Sequence, residues 1–242
     1  MAARDLRHLS MVPWWRREPL HRVALHRLGR RRRLAEYTVV PEAYAYRIPD
    51  GIPDVQAAPL LCAGIIGYRS LRRASVPPGG TLGIYGFGGS AHLTAQVAVS
   101  QGIDVHVFTR GEAARQLALE LGASSAGAVD DEPPVKLDSA IVFAPAGEVV
   151  PLALAALDRH GTVALAGIHM SDFPPLDYQR HLFGEKTLTS VTSNTRADGE
   201  EFLRLAEGVV RATVTPYPFE RAPDALRDLA EGRVNGAAVL EL

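Results

Sequence analysis

The stretch Gly83-Ile84-Tyr85-Gly86-Phe87-Gly88-Gly89-Ser90-Ala91 decides how this chain is read. It sets the pattern G-x-G-G-x-A between a strand expected over 81–85 and a helix expected over 90–100. Gly86 allows a tight turn, Gly88 lets the backbone come close to a pyrophosphate, and Gly89 with the small Ala91 lets helix and strand pack tightly. The free N–H groups and the positive dipole end of the helix then face the phosphates. A glycine triplet alone also fits a plain tight turn. The strand before it and the helix after it favour a dinucleotide site built from Gly86, Gly88, Gly89, Ser90 and Ala91.

Outward from the turn the text keeps alternating. Downstream, strands are expected over 105–108, 126–129, 139–143 and 162–166, with helices over 112–121 and 149–157. Upstream, an apolar segment at helical spacing, 58–73, stops at Val76-Pro77-Pro78-Gly79-Gly80, a strong turn signal. Alternation of this kind predicts an α/β fold with a doubly wound parallel sheet covered on both faces, that is, a Rossmann nucleotide-binding domain. The end of the second strand selects the dinucleotide. Where an NAD site usually has Asp or Glu to accept from the ribose 2′-hydroxyl, this chain has Thr109-Arg110. Arg110 can pair with a 2′-phosphate and Thr109 can hydrogen-bond it, so NADP is the expected cofactor, with NAD as the alternative.

Composition narrows the class. The chain has 242 residues, 47% apolar, with 26 Lys+Arg against 27 Asp+Glu, which excludes a disordered tail or a membrane bundle. No apolar stretch approaches the ~20 residues of a spanning helix. Residues 1–34 are charged throughout and carry no secretory signal, and Cys62 is the single cysteine, so the cytoplasm is the expected compartment. The near-zero charge hides an asymmetry: residues 1–34 sum to +8 and residues 35–242 to −9. A basic surface for nucleic acid would therefore rest on the first 34 residues only, and no nucleic-acid partner is expected.

At the two ends the rhythm changes. Residues 36–48 read as strand pieces broken at Pro41, and the tail as a Pro-punctuated strand (212–219), a helix (223–232) and a short strand (237–242). The tail is expected to join 35–60 in a second unit. An edge strand is expected over 187–192.

The chain resembles the zinc-containing medium-chain alcohol dehydrogenase family. The resemblance is carried by Ala35-Glu36-Tyr37, by Ala57-Ala58-Pro59-Leu60-Leu61-Cys62-Ala63-Gly64, by the Gly86 to Ala91 turn, by Leu121-Gly122-Ala123, and by Gly161-Thr162-Val163 with Ala166-Gly167. It implies a nucleotide-binding domain at 68–195, remnants of a mainly β catalytic domain at 35–67, and a return to that domain at 196–242. It also implies hydride transfer between a small alcohol or aldehyde and the nicotinamide, with Gly167 and Ile168 in the loop that borders the nicotinamide. His169 follows in that loop, and His92 lies on the helix after the glycine turn, where a water-facing or phosphate-proximal role is open; both are read as poor catalytic candidates beside ordinary surface or packing roles. A homodimer through 187–192 is in keeping with the family.

By the same resemblance Cys62 is one of three protein ligands of a catalytic zinc, which acts as a Lewis acid on the alcohol. The other ligands, a second Cys and a His-Glu pair, would precede residue 1. One thiolate cannot hold a catalytic zinc, so zinc is not expected to be retained and the activity is in doubt. A lone cysteine at the start of an apolar helix also fits a small buried hydrophobe. Two further readings stand beside this one: a zinc-free quinone reductase relative, against which the Leu-Leu-Cys-Ala-Gly setting speaks, and a non-catalytic nucleotide-binding module.

Residues 1–34 read as an atypical basic leader. Shifted by one base, Leu6-Arg7, Leu9-Ser10, Val12-Pro13 and Leu20-His21 can each encode cysteine, at C-x2-C-x2-C-x7-C, the spacing of the family's structural zinc lobe. The leader is therefore expected to be an out-of-frame text that rejoins the ancestral frame at Ala35. The competing readings are a basic arm and an Arg-rich transit peptide.

Overall fold

Six strands lie side by side, all parallel: β1 Thr81–Tyr85, β2 Asp104–Phe108, β3 Ser125–Gly127, β4 Leu137–Val142, β5 Leu157–Leu165 and β6 Thr187–Ser190. Their order across the sheet is β3-β2-β1-β4-β5-β6. The computed structural model describes residues 42–242. The reading of residues 1–34 and of the first part of the 36–48 strand lies outside the described residues. The strands form because they are apolar on both faces: Leu82, Ile84, Val105, Val107, Ile141 and Val163 are all fully buried.

Helices cover the two faces. α1 (Asp54–Pro59), a π-helical turn (Leu60–Gly64) and α2 (Ile65–Ala74) precede the sheet. α3 (Ala91–Ser100), α4 (Glu112–Glu120), α5 (Val149–Ala156), the short α6 (Tyr178–His181) and α7 (Arg196–Ala206) follow in turn. On one face Leu60, Ile65, Leu93, Val97, Phe202 and Leu203 form a core between α2, α3 and α7. On the other, Tyr85, Phe108, Leu137 and Val142 pack against Val150 and Leu154 of α5. The tail forms a separate two-stranded parallel sheet, β7 (Val214–Pro218) with β8 (Ala237–Glu241), joined through α8 (Ala222–Ala230).

All these elements belong to one unit, Tyr46–Glu241. Of the other unit, Met1–Ala45 with Leu242, the described part holds a 3-10 turn at Glu42–Tyr44, closed by the Ala45 N–H on the Glu42 carbonyl at 2.9 Å.

Several expectations are corrected. The helix expected over 58–73 is present and runs without a break from Asp54 to Ala74, but it is not uniform: after Pro59, which has no N–H to donate, it widens into the π-helical turn. That turn seats against α7: a methyl group at Gly64 would collide with the Phe202 ring. Residues 42–48 are not strand. Their β-type composition finds no ladder partner among the described residues, and β-propensity without one does not make a strand.

Helix α7 was not expected. A capping box of Thr195 and Asp198 starts it, and the fully buried Asp198 carboxylate also receives Arg69 (3.4 Å) and Arg72 (3.5 Å) of α2. Glu201 adds an ion pair with Arg72 at 2.7 Å and accepts from the Tyr68 hydroxyl at 3.2 Å. These bonds tie α7 to α2.

Candidate cofactor site

Parallel strands put all their C-terminal ends on one edge of the sheet. The strand order reverses between β1 and β4, and a crevice opens at such a point. The glycine turn lies there. Gly86 has φ +86°, a conformation an L side chain rarely adopts, and a methyl group on it would lie 2.8 Å from the Ala144 nitrogen. Its N–H donates to the Phe108 carbonyl at 2.8 Å, and the Ala144 N–H donates to the Tyr85 carbonyl at 3.1 Å. The turn is thereby bonded to the ends of β2 and β4.

Gly88 is different. Nothing lies within 4 Å of where its Cβ would be, so the chain is bare beside open space. This is the local shape a phosphate group requires. The close helix–strand packing expected at Gly89 is not seen: a Cβ there would make only an ordinary 3.5 Å contact, with the Gly236 carbonyl of the tail. Ser90 gives no side-chain cap to α3, and within the first turn the His92 N–H is taken by the Gly88 carbonyl at 3.1 Å. Its carbonyl is taken by the Thr94 hydroxyl at 2.8 Å, and Ala91 is fully buried.

At the end of β2, Thr109 is buried and its N–H donates to the Gly127 carbonyl at 2.9 Å. Arg110 is exposed and makes no ion pair among the described residues. Arg115, which the sequence reading did not single out, sends one guanidinium nitrogen to the Thr109 carbonyl (3.2 Å) and another to Glu112 (2.6 Å). Its position in the first turns of α4, six residues after Thr109, is the signal that could have identified it. Beyond β5, Gly167 lies against Ala144 and Pro145, and Ile168 is 89% exposed. The structure thus gathers Gly86, Gly88, Thr109, Arg110, Gly167 and Ile168 along the C-terminal edge of one sheet.

Of the two histidines singled out, one is packed and one lies at the surface. His92 is 1% exposed and not water-facing; burial holds its imidazole below the usual histidine range, partly offset by its hydrogen bonding to the Gly88 and Gly89 backbone. His169 is exposed on the loop after β5. Burial also pushes the Tyr85 phenol, stacked on Phe108, well above the ordinary tyrosine range. A cavity of about 620 Å³ on the α5 face, lined by Tyr85, Asp130, Lys136, Leu152 and Lys186 among others, includes none of the glycine-turn residues.

Cys62 is exposed on the π-helical turn, which packs against α3, the helix that the glycine turn opens. It is therefore not the buried hydrophobe a lone cysteine in an apolar segment commonly is. Among the described residues, however, no three His, Cys, Asp or Glu side chains are grouped to hold a metal ion. The donor set found here does not fit a catalytic zinc, which needs three protein ligands. No described helix is long and apolar enough to cross a membrane.

No family model matches the chain. Among curated proteins, it is 58% identical over 207 residues to "Probable alcohol dehydrogenase AdhA" of Mycobacterium tuberculosis, a match covering 85% of this chain and 60% of that protein. It is 42% identical over 93 residues to "NADP-dependent alcohol dehydrogenase C 1" of Mycolicibacterium smegmatis, covering 38% of this chain and 27% of that one. Among solved structures, a cinnamyl alcohol dehydrogenase of Sorghum bicolor superposes with a TM-score of 0.72 at 29% identity, covering 83% of this chain and 59% of the other. The chain thus spans about 60% of the length of the M. tuberculosis relative.

Proposed function

We propose that this chain, similar to alcohol dehydrogenases over most of its length, belongs to the zinc-containing medium-chain alcohol dehydrogenase family, and that its glycine turn binds a nicotinamide dinucleotide, with NADP preferred over NAD. The observation that carries this reading is the open space at Gly88, at the strand-order switch between β1 and β4 and beside the start of α3, which no side chain caps. Arg110 supports the NADP preference, since an unpaired guanidinium at the end of β2 is where a 2′-phosphate would need a cation and a 2′-hydroxyl would not. Gly167 and Ile168 would line the nicotinamide end.

The reaction that goes with this cofactor is hydride transfer between a small alcohol and the corresponding aldehyde. In the family zinc supplies Lewis-acid chemistry for that step. Cys62 offers one sulfur ligand, and the described residues do not complete the site. That incomplete donor set favours, as a second reading, a nucleotide-binding module without alcohol turnover. We retain the division into a nucleotide-binding part at 68–195 and catalytic-domain parts at 35–67 and 196–242. A homodimer would form by extension of the sheet at its β6 edge.

Titrating the protein with NADPH and with NADH, followed by quenching of intrinsic fluorescence, tests the cofactor reading. Saturable binding with NADPH tighter than NADH is expected; no binding of either removes it. Oxidation of simple alcohols in added zinc separates the two readings of catalysis, since turnover excludes the non-catalytic module.

A further inference from the structure

The glycine turn is held from a distance. Three consecutive residues of the tail, Arg211-Ala212-Thr213, have their backbone groups taken up by side chains in the way a neighbouring strand would take them. Gln96 of α3 accepts from the Arg211 N–H at 2.8 Å and donates to the Arg211 carbonyl at 3.0 Å. Gln56 of α1 does the same for Ala212, at 2.8 and 3.1 Å. His92 then takes the Thr213 N–H at its Nε2 (3.2 Å) and donates from Nδ1 to the Gly88 carbonyl (3.2 Å). An acceptor Nε2 fixes the neutral Nδ1–H tautomer, so the imidazole is a two-ended bridge.

The tail also meets the turn directly. The Ala237 N–H donates to the Thr213 carbonyl at 2.9 Å, and the Gly236 carbonyl faces Gly89. Gly236 has φ +83°, and a methyl group there would run into the Thr213 carbonyl oxygen.

We infer that His92 is a positioning residue for dinucleotide binding: by bonding Gly88 to Thr213 it orients the Gly88 peptide, so that the entry to the β7–β8 tail sets the shape of the phosphate turn. This rests on the cofactor reading above. The Gly88 carbonyl accepts both the His92 backbone N–H (3.1 Å) and the imidazole. It is thereby turned into the helix, leaving the opposite side of that peptide for the ligand. A buried residue whose only task was filling space would not need an N–H acceptor and a donor at opposite ends of its ring.

The test compares NADPH dissociation constants and unliganded melting temperatures of the full chain in wild type, H92F, H92Q and G236A. H92F keeps a ring of similar size but makes neither bond, and about tenfold weaker NADPH binding is expected, the worth of roughly one hydrogen bond. In H92Q the amide oxygen can again accept from Thr213, and most of that loss is expected to return. G236A, on the tail, is expected to weaken NADPH binding as H92F does. In wild type, NADPH should slow hydrogen exchange at the Thr213 amide about tenfold, a readout that stands if H92F does not fold. H92F binding within twofold of wild type, equal loss in H92F and H92Q, or unchanged exchange at Thr213 each overturns the inference. A wild type that binds no NADPH overturns the cofactor reading itself, and the inference with it.

Discussion

Replacing Gly88 by alanine separates a ligand-binding glycine from a structural one. Gly88 has no positive φ, and its missing Cβ points into space empty to 4 Å, so alanine fits the unliganded backbone without strain. A Gly-to-Ala change of that kind stabilises by about 0.4–1 kcal/mol, because it removes freedom from the unfolded chain. At roughly 2–4 °C per kcal/mol for a chain of this size, G88A should melt about 1–4 °C higher than wild type. The same methyl group occupies the space a pyrophosphate oxygen needs at about 2.9 Å from a backbone N–H, and overpacking of that order costs about 2 kcal/mol or more, roughly a 30-fold loss of NADPH affinity. Gly86 behaves oppositely. Its left-handed φ costs about 1–2 kcal/mol with a side chain, and the 2.8 Å approach to Ala144 adds a clash with backbone, together about 2–4 kcal/mol, so G86A should melt roughly 5–15 °C lower. Differential scanning fluorimetry with and without NADPH reads both effects. If G88A binds NADPH as wild type does, or melts below it, Gly88 is not at the phosphate and the reasoning fails.

Three further predictions follow from other parts of the molecule. Arg110→Ala should weaken NADPH binding about tenfold and leave NADH binding unchanged, as expected for one charge-assisted contact; equal losses for both cofactors would show that Arg110 does not meet a 2′-phosphate. Asp198→Ala removes the capping box of α7 and leaves Arg69 and Arg72 without their buried partner, a loss of about 3 kcal/mol given that both arginines can rehydrate. Chemical denaturation measures that loss, and a change under about 1 kcal/mol would show that α2 and α7 do not depend on it. His92 and His181 both have imidazoles held below the usual range, by burial first. The unfolded chain then binds protons before the folded one does, so this part of the stability is fully present above about pH 6.5 and declines as pH falls below it. H92F should flatten that decline in denaturant midpoints between pH 7 and 5, and an unchanged slope would count against a neutral buried His92.

What could be read without tertiary structure was local. A strand, a glycine turn and a helix within 20 residues declare themselves through apolar period and backbone freedom, which is why 81–85 and the helix behind it were legible, and the parallel class with them. Thr109-Arg110 was legible for the same reason: the end of β2 is set by its own sequence. The π-helical turn at Cys62 was not, because Pro59 signals only an interruption, and Phe202, far along the chain, is what the turn seats against. Helix α7 was missed although its capping box is local, since its apolar residues acquire meaning only against α2.

The histidine at 92 marks the division most clearly. Its place in the first turn of α3 follows from the sequence alone, and that place permits either a wet or a buried side chain. Only the folded chain brings Thr213, 121 residues away, to its Nε2. Propensity and capping act over a few residues, so the sequence by itself determined the α/β class, the glycine turn and the cation at the end of β2. Which backbone group meets which side chain across the core depends on how the layers pack. Tertiary structure alone therefore decided the strand order, the exposure of Cys62, the lack of metal-ligand partners among the described residues, and the bond between tail and turn.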